Sequence, residues 1–184
     1  MILLNMPKNS VKQIEQDEIK ILDELIKNAN LSVNEIAIKL DFSRQKVWRI
    51  IKNLEKDKTI WGYTTIIDDT KMGRKRFNIL LKKAPVKLTD EKLNIVINRE
   101  LRKIARKNKV NLESTYFFHG SYDGQICVTA ENILQVKNFI TDMQKKLGEP
   151  YFKEVDILEV LVPIQMRGFN NPNLKQLKKY FALI

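Results

Sequence analysis

With a single cysteine, Cys127, in 184 residues, no intrachain disulfide framework can form, and the composition gives oxidising compartments no support. His119 is the only histidine, so a zinc site built from cysteine and histidine is not expected. Long apolar runs are missing too. The opening MILLNMPKNS holds only a short apolar stretch before Pro7 and Lys8, too brief for a signal-peptide core, and no later run approaches a membrane span. Internal repeats and low-complexity tracts are absent. These absences predict a cytoplasmic protein with no membrane partner, no metal and no cofactor. Acidic side chains are the minority charge: 22 Asp and Glu face 33 Lys and Arg, leaving a formal +11 at pH 7. Such a balance favours a polyanionic partner through its field and through counterion release. What is present is apolar content, 43% of residues, enough to bury a core in one domain or two small ones.

In residues 15–28, Ile19, Leu22, Leu25 and Ile26 recur at helical spacing, and Asn28-Ala29-Asn30 ends the segment with poor helix formers. Ser32-Val33-Asn34-Glu35 has the form of a capping box, which predicts a short helix over 33–40. After Asp41-Phe42, Ser43 can cap a third helix reaching about residue 57, with Val47, Ile50, Ile51 and Leu54 as its apolar stripe. Residues 60–67, IWGYTTII, are β-branched and aromatic and read as a strand or wing; 68–73 reads as linker.

Beyond the linker, strand and helix periods alternate. Strands are predicted over 77–84, 112–119, 125–129 and 151–164, with the turn-rich GSYDG between the second and third. One helix is predicted over 90–107, with Leu93, Val96, Ile97, Leu101 and Ile104 on one face, and another over 131–147, with Ile133, Val136, Ile140, Met143 and Leu147. Gly148 and Pro150 stop the latter. The order βαββαβ is the ferredoxin-like arrangement, whose open sheet face needs cover that dimerisation commonly supplies. Leu174, Leu177, Phe181 and Ile184 predict an amphipathic tail helix. The fold class is therefore α+β, divided as a winged-helix-like helix-turn-helix domain (1–59), a linker strand (60–73), a ferredoxin-like effector and oligomerisation domain (74–164) and a tail helix (165–184).

Counted from Val33, the second and third helices place Ala37, Asp41, Val47 and Ile50 where a helix-turn-helix needs a small crossing residue, a turn residue able to take positive φ, and two apolar contacts. Asp tolerates left-handed φ better than most residues other than glycine. If Val47, Ile50 and Leu54 face inward, the 100° step of a helix turns Gln45, Trp48, Arg49 and Lys52 outward, with Arg44 at the exposed start. Arginine can fork to guanine and Gln can pair with adenine, so Gln45 and Arg49 are assigned to base edges. Ser43, Arg44, Lys46 and Lys52 are assigned mainly to the phosphate backbone, and Trp48 to DNA or a partner. A three-helix module that binds protein, or packs within an enzyme, is the competing reading of the same residues.

The run from IEQDEIKIL through LSVNEIAIKLDFSRQKVWRIIKNLEKDKTIWGYTTIID resembles the N-terminal half of the leucine-responsive and asparagine-responsive (Lrp/AsnC) transcriptional regulators. There a strand of the form I-x-G-Y follows the helix-turn-helix, and here Ile60, Gly62 and Tyr63 occupy it. GSYDG and the βαββαβ order are similar to the family's ligand-sensing domain, so the resemblance spans residues 14–164. It implies homodimers or higher oligomers on near-palindromic double-stranded DNA, sometimes responsive to a small amino-acid effector. It also implies effector-binding roles for Gly120, Tyr122 and Asp123, the last as partner of an α-ammonium group. The residues themselves leave a second reading open, since Gly and Asp are what a tight hairpin demands. Departures are Asp41 in place of the family's usual turn glycine, a longer and more basic first sensor helix, and the added tail.

His119 beside the GSYDG turn reads as a satisfied structural histidine before a switch, and Cys127 as a small buried hydrophobe. Trp61 reads as packing between domains. The run Arg99, Arg102, Lys103, Arg106, Lys107 and Lys109 can extend a DNA path but reads first as a solvated face. No Ser/His/Asp or paired-carboxylate arrangement follows from spacing, so no catalytic residue is assigned and no enzyme is expected. The alternatives are an enzyme like the siroheme decarboxylases, which share the two-domain plan, and a protein-binding adaptor without DNA affinity.

Overall fold

The computed structural model of the chain describes residues 8–87, 89–148, 151–176 and 178, which fall into two units divided between Ile66 and Ile67. In the first unit, α1 (Lys8–Lys27), α2 (Val33–Leu40) and α3 (Arg44–Lys56) enclose a core of Ile21, Leu25, Ile36, Ala37, Val47, Ile50, Ile51 and Leu54. The capping box sets the start of α2: Ser32 Oγ accepts from the Glu35 amide at 3.2 Å, and the Glu35 carboxylate accepts from the Ser32 amide at 2.7 Å. Asp41 then takes the left-handed conformation, φ 53 and ψ 45, that turns the chain between α2 and α3. Ser43 Oγ caps α3 by accepting from the Lys46 amide at 3.2 Å.

The face of α1 differs from the one its periodicity suggests. Ile19 and Ile26 are 57% and 70% exposed, whereas Ile21 is fully buried in register with Leu25 and with Asp17, one turn apart each. The 17-21-25 row is the one that meets α2 and α3. Residues 61–68 join no ladder, in contrast to the predicted strand over 60–67, because a strand exists only through a hydrogen-bonded neighbour and none of the described residues pairs with this segment. Trp61 within it is 95% exposed.

The second unit is an antiparallel sheet with helices on one face. Its strands, β1 (Lys75–Lys83), β2 (Asn111–Phe117), β3 (Gly124–Ala130) and β4 (Phe152–Val160), lie in the order β2-β3-β1-β4. Alternation along β1 sends Phe77, Ile79 and Leu81 inward, opposite Val128, Ile126 and Gly124 of β3. Those side chains meet α6 (Ile133–Leu147) through Val136, Phe139, Ile140 and Met143. Burying a residue the size of Phe77 or Phe139 contributes about 1.5–3 kcal/mol. Gly124 is required where the turn enters β3, since a Cβ there would stand 2.9 Å from the Tyr116 carbonyl oxygen.

Three elements depart from the predicted ones. The single helix over 90–107 is two, α4 (Asp90–Ile97) and α5 (Glu100–Lys107), broken at Arg99 with φ 57. In an unbroken helix Ile95 would point about 100° away from Leu101 and Ala105. The break resets that phase so that all three are buried, while Ile97 is 67% exposed. The last strand stops at Val160, and a small hairpin, β5 (Gln165–Met166) with β6 (Phe169–Asn170), begins the segment predicted as tail helix. A 3-10 turn spans Leu174–Gln176; Leu177, Phe181 and Ile184 lie outside the described residues. Among the described residues no helix is long and apolar enough to cross a membrane.

Candidate nucleic-acid interface

The geometry of α3 follows from what it buries. Val47, Ile50, Ile51 and Leu54 all lie within one third of the helix circumference and face α1 and α2, so the opposite side is left to solvent. Gln45, Trp48, Arg49 and Lys52 are exposed there, with Ser43 and Arg44 exposed at the N-terminal end. Among the described residues Arg44, Gln45 and Arg49 have no intrachain hydrogen-bond or ion-pair partner. Their donors, and the Gln45 carbonyl, are available to a ligand. The Ser43 oxygen already caps α3, which leaves its hydroxyl hydrogen to give to an anion at the positive end of the helix.

Two of the cations assigned to the backbone are engaged. Lys52 Nζ lies 2.7 Å from Glu55, whose other oxygen accepts from the Tyr63 hydroxyl at 3.1 Å. The Lys52 hydrogen bond, first among its surroundings, holds the Glu55 carboxyl below its usual range. Lys46 is not in the outward set at all. It sits about 40° around α3 from Ile50, at the margin of the core, and its ammonium reaches back to Asp17 on α1 at 2.6 Å. The same Nζ lies 3.7 Å from the centre of the Phe42 ring. Asp17 is only 3% exposed and also accepts from Gln13 Nε2 at 3.0 Å. Burial pushes the Asp17 carboxyl up, but Lys46 and Gln13 outweigh it and hold the group below its ordinary value. A buried carboxylate thereby fastens α1 to the first turn of the outward-facing helix. Its signal in the sequence is the 17-21-25 spacing, masked by the competing apolar row of Ile19, Leu22 and Ile26.

In the second unit, the turn carrying Gly120, Tyr122 and Asp123 is pinned to the end of β1. Asp123 Oδ2 accepts from the Lys83 amide at 2.7 Å, the Asp123 amide donates to Leu81 O at 2.9 Å, and its carbonyl accepts from the Phe118 amide at 2.8 Å. The Tyr122 hydroxyl donates to Asp156 at 2.6 Å, and that carboxylate, with partial burial, pushes the phenol up. His119 is exposed and without a hydrogen-bond partner among the described residues, so it is not the satisfied structural histidine expected. Cys127 is half-buried on the open face of the sheet, not in the core, because odd-numbered residues of β3 point away from the helices; burial pushes its thiol up. Among the described residues no three His, Cys, Asp or Glu side chains group to hold a metal.

Residues 18–60 match the family described as winged helix-turn-helix DNA-binding, which covers the three-helix core and the whole outward face of α3. Over most of its length the chain is also similar to solved structures. An AsnC family transcriptional regulator from Agrobacterium tumefaciens aligns with a TM-score of 0.58 at 19% identity, over 87% of this chain and 97% of that one. For LrpC of B. subtilis the values are 0.56 and 21%, over 80% and 94%. The chain has the Lrp/AsnC fold. A regulator of this fold from Neisseria meningitidis, solved as a complex with L-methionine, aligns at 0.59 and 19% over 87% and 96% of the two chains. Comparison with curated proteins gives no sequence match. The Lrp/AsnC fold accounts for the sheet order and for the two units, while the hairpin of β5 and β6 and the turn at Leu174–Gln176 follow the last strand of that sheet.

Proposed function

We infer that this chain is a DNA-binding transcriptional regulator that reads a near-palindromic site as a homodimer or higher oligomer in the cytoplasm. One observation carries the reading: α3 presents Arg44, Gln45, Trp48 and Arg49 together, exposed and without hydrogen-bond or ion-pair partners among the described residues, on a helix whose other face is fully committed to the core. An outward row of donors on a helix that fits the major groove is the arrangement direct readout requires. Arg49 and Gln45 read base edges, and Ser43 and Arg44 hold phosphate. Lys52 joins them by exchanging Glu55 for phosphate, and Trp48 packs on the sugar-phosphate wall.

The second unit assembles copies. On the open face of its sheet, Leu158, Tyr116 and Phe118 are 49%, 51% and 42% exposed, apolar groups set around Gln125, Leu80 and Asp156 on a mixed face that a second copy would cover. An amino-acid effector belongs to the same proposal. It meets the turn at Gly120–Asp123, where Asp123 Oδ1 has no partner among the described residues and is open to an ammonium group. Titrating amino acids against the thermal melting of the protein tests this part, and the expected ligand shift is lost in Asp123→Asn.

The DNA part is tested by titrating a labelled duplex with the purified chain at several salt concentrations. Binding that weakens linearly on a log-log salt plot is expected. An absence of binding to any duplex contradicts the reading and favours an adaptor.

A further inference from the structure

We propose that α5 and the start of β2 form a second contact for the phosphate backbone of DNA, outside the helix-turn-helix; this rests on the reading of the chain as a DNA binder. Arg102 and Arg106 lie one helical turn apart on α5, exposed. Nearby cations are satisfied inside the chain, Lys103 by Glu100 at 2.6 Å and Lys107 by Asp142 at 2.9 Å. Arg102 and Arg106 have no carboxylate partner among the described residues. They line a cavity of about 230 Å³ with Val110 and with Asn111 and Leu112 of the adjoining edge strand. Both guanidinium groups therefore border one concave surface with no acid among the described residues to receive them, and Asn111, whose Nδ2 donates to Thr129 Oγ1 at 3.5 Å, adjoins it.

The surroundings fit a polyanion. Lys145 and Lys146 of α6 lie close enough to add to the field on Asp142 and Glu100, so the surface of α5 and α6 carries a surplus of positive charge after its two acids are counted. The apolar residues of α5 all point inward: Leu101 and Ala105 are buried and Ile104 packs on the same core. No hydrophobic side chain of α5 is free to enter a bilayer, which separates this face from a membrane-binding helix. Paired arginines on a rigid helix with nothing to read bases suit phosphate oxygens, and such contacts add affinity without sequence preference.

The test uses the full chain and a duplex of about 60 base pairs of mixed sequence, with affinity followed from about 50 to 200 mM salt. Each phosphate contact contributes about 0.9 to the slope of log affinity against log salt, so Arg102→Gln with Arg106→Gln should lower the slope by about 2 for each protomer that touches the duplex. Across that salt range the wild type should then lose about tenfold more affinity than the double variant per contacting protomer. Arg102→Lys with Arg106→Lys should restore the wild-type slope, since phosphate attraction needs the charge. The charge-matched control Lys153→Gln with Lys175→Gln should leave it unchanged, and far-UV circular dichroism should be the same for all four proteins. Equal slopes for wild type and the glutamine pair, with DNA still bound, overturn the inference and leave the helix-turn-helix reading intact. A loss as large in the control overturns it as well, because any two charges would then serve. So does a defect of the glutamine pair confined to anionic phospholipid vesicles. No DNA binding by the wild type removes both readings together.

Discussion

At the residue scale, the proposed interface separates side chains that read bases from side chains that hold phosphate. Arg49→Ala should flatten discrimination between bases at one position of the bound site, at a cost of about 1–3 kcal/mol. Lys52→Ala should weaken every sequence about equally, since its charge is shared with Glu55 and directed at phosphate. Competition titrations over single-base variants of a bound duplex distinguish the two, and uniform loss for Arg49→Ala would remove it from the base-reading set. Lys46 belongs to neither group. With Asp17 nearly fully buried beneath it, Asp17→Asn leaves the Lys46 ammonium without its counterion and should destabilise the first unit by about 1–3 kcal/mol. The folded Asp17 carboxyl titrates below its ordinary value, so the stability it adds is fully present above the ordinary carboxylate range and is lost as pH falls through the lower, folded value. The difference in melting temperature between wild type and Asp17→Asn should accordingly be largest at neutral pH and close as the solution is taken below about pH 4. A gap that is constant with pH would mean that packing, not charge, sets the effect.

At the element scale, the break between α4 and α5 tests the packing logic. Arg99 holds a left-handed conformation that costs a residue with a Cβ about 1–2 kcal/mol, so Arg99→Gly should be neutral or stabilising, and Arg99→Val destabilising by more than 1 kcal/mol. Denaturant unfolding of the two variants measures this; a destabilised glycine variant would contradict it. The same break shows where sequence stops being legible. Helix-turn-helix boundaries could be read because local chemistry writes them: the Ser32–Glu35 box, Asp41 at positive φ, the Ser43 cap and the stripe of α3 are each decided within a few residues. The α1 face and the α4–α5 phase depend instead on which apolar residues tertiary packing selects. Ile19 and Ile21 are both isoleucines at helical positions, and only the placement of α2 and α3 buries one and exposes the other. Phe139 was likewise missed on α6 in favour of Ile133, which is 42% exposed. For the candidate site, the outward direction of Gln45, Trp48, Arg49 and Lys52 was legible from the stripe opposite them. The inward turn of Lys46 was not, because its partner lies 29 positions away on another helix.

At the scale of the whole molecule, the proposed function divides the work between the two units. A three-helix unit carries the outward face of α3, and a sheet with one face covered by helices and the other open is suited to joining copies. Two copies related by a two-fold axis would present two α3 helices to successive major grooves about 34 Å apart, which makes the bound sequence an inverted repeat with half-sites one helical turn apart. Selection of bound duplexes from a random pool by the purified protein, followed by sequencing, tests this most directly. An enriched motif with two-fold symmetry and half-site centres about 10 base pairs apart, or a multiple of that, is expected. An intact, folded protein that enriches no sequence would contradict it.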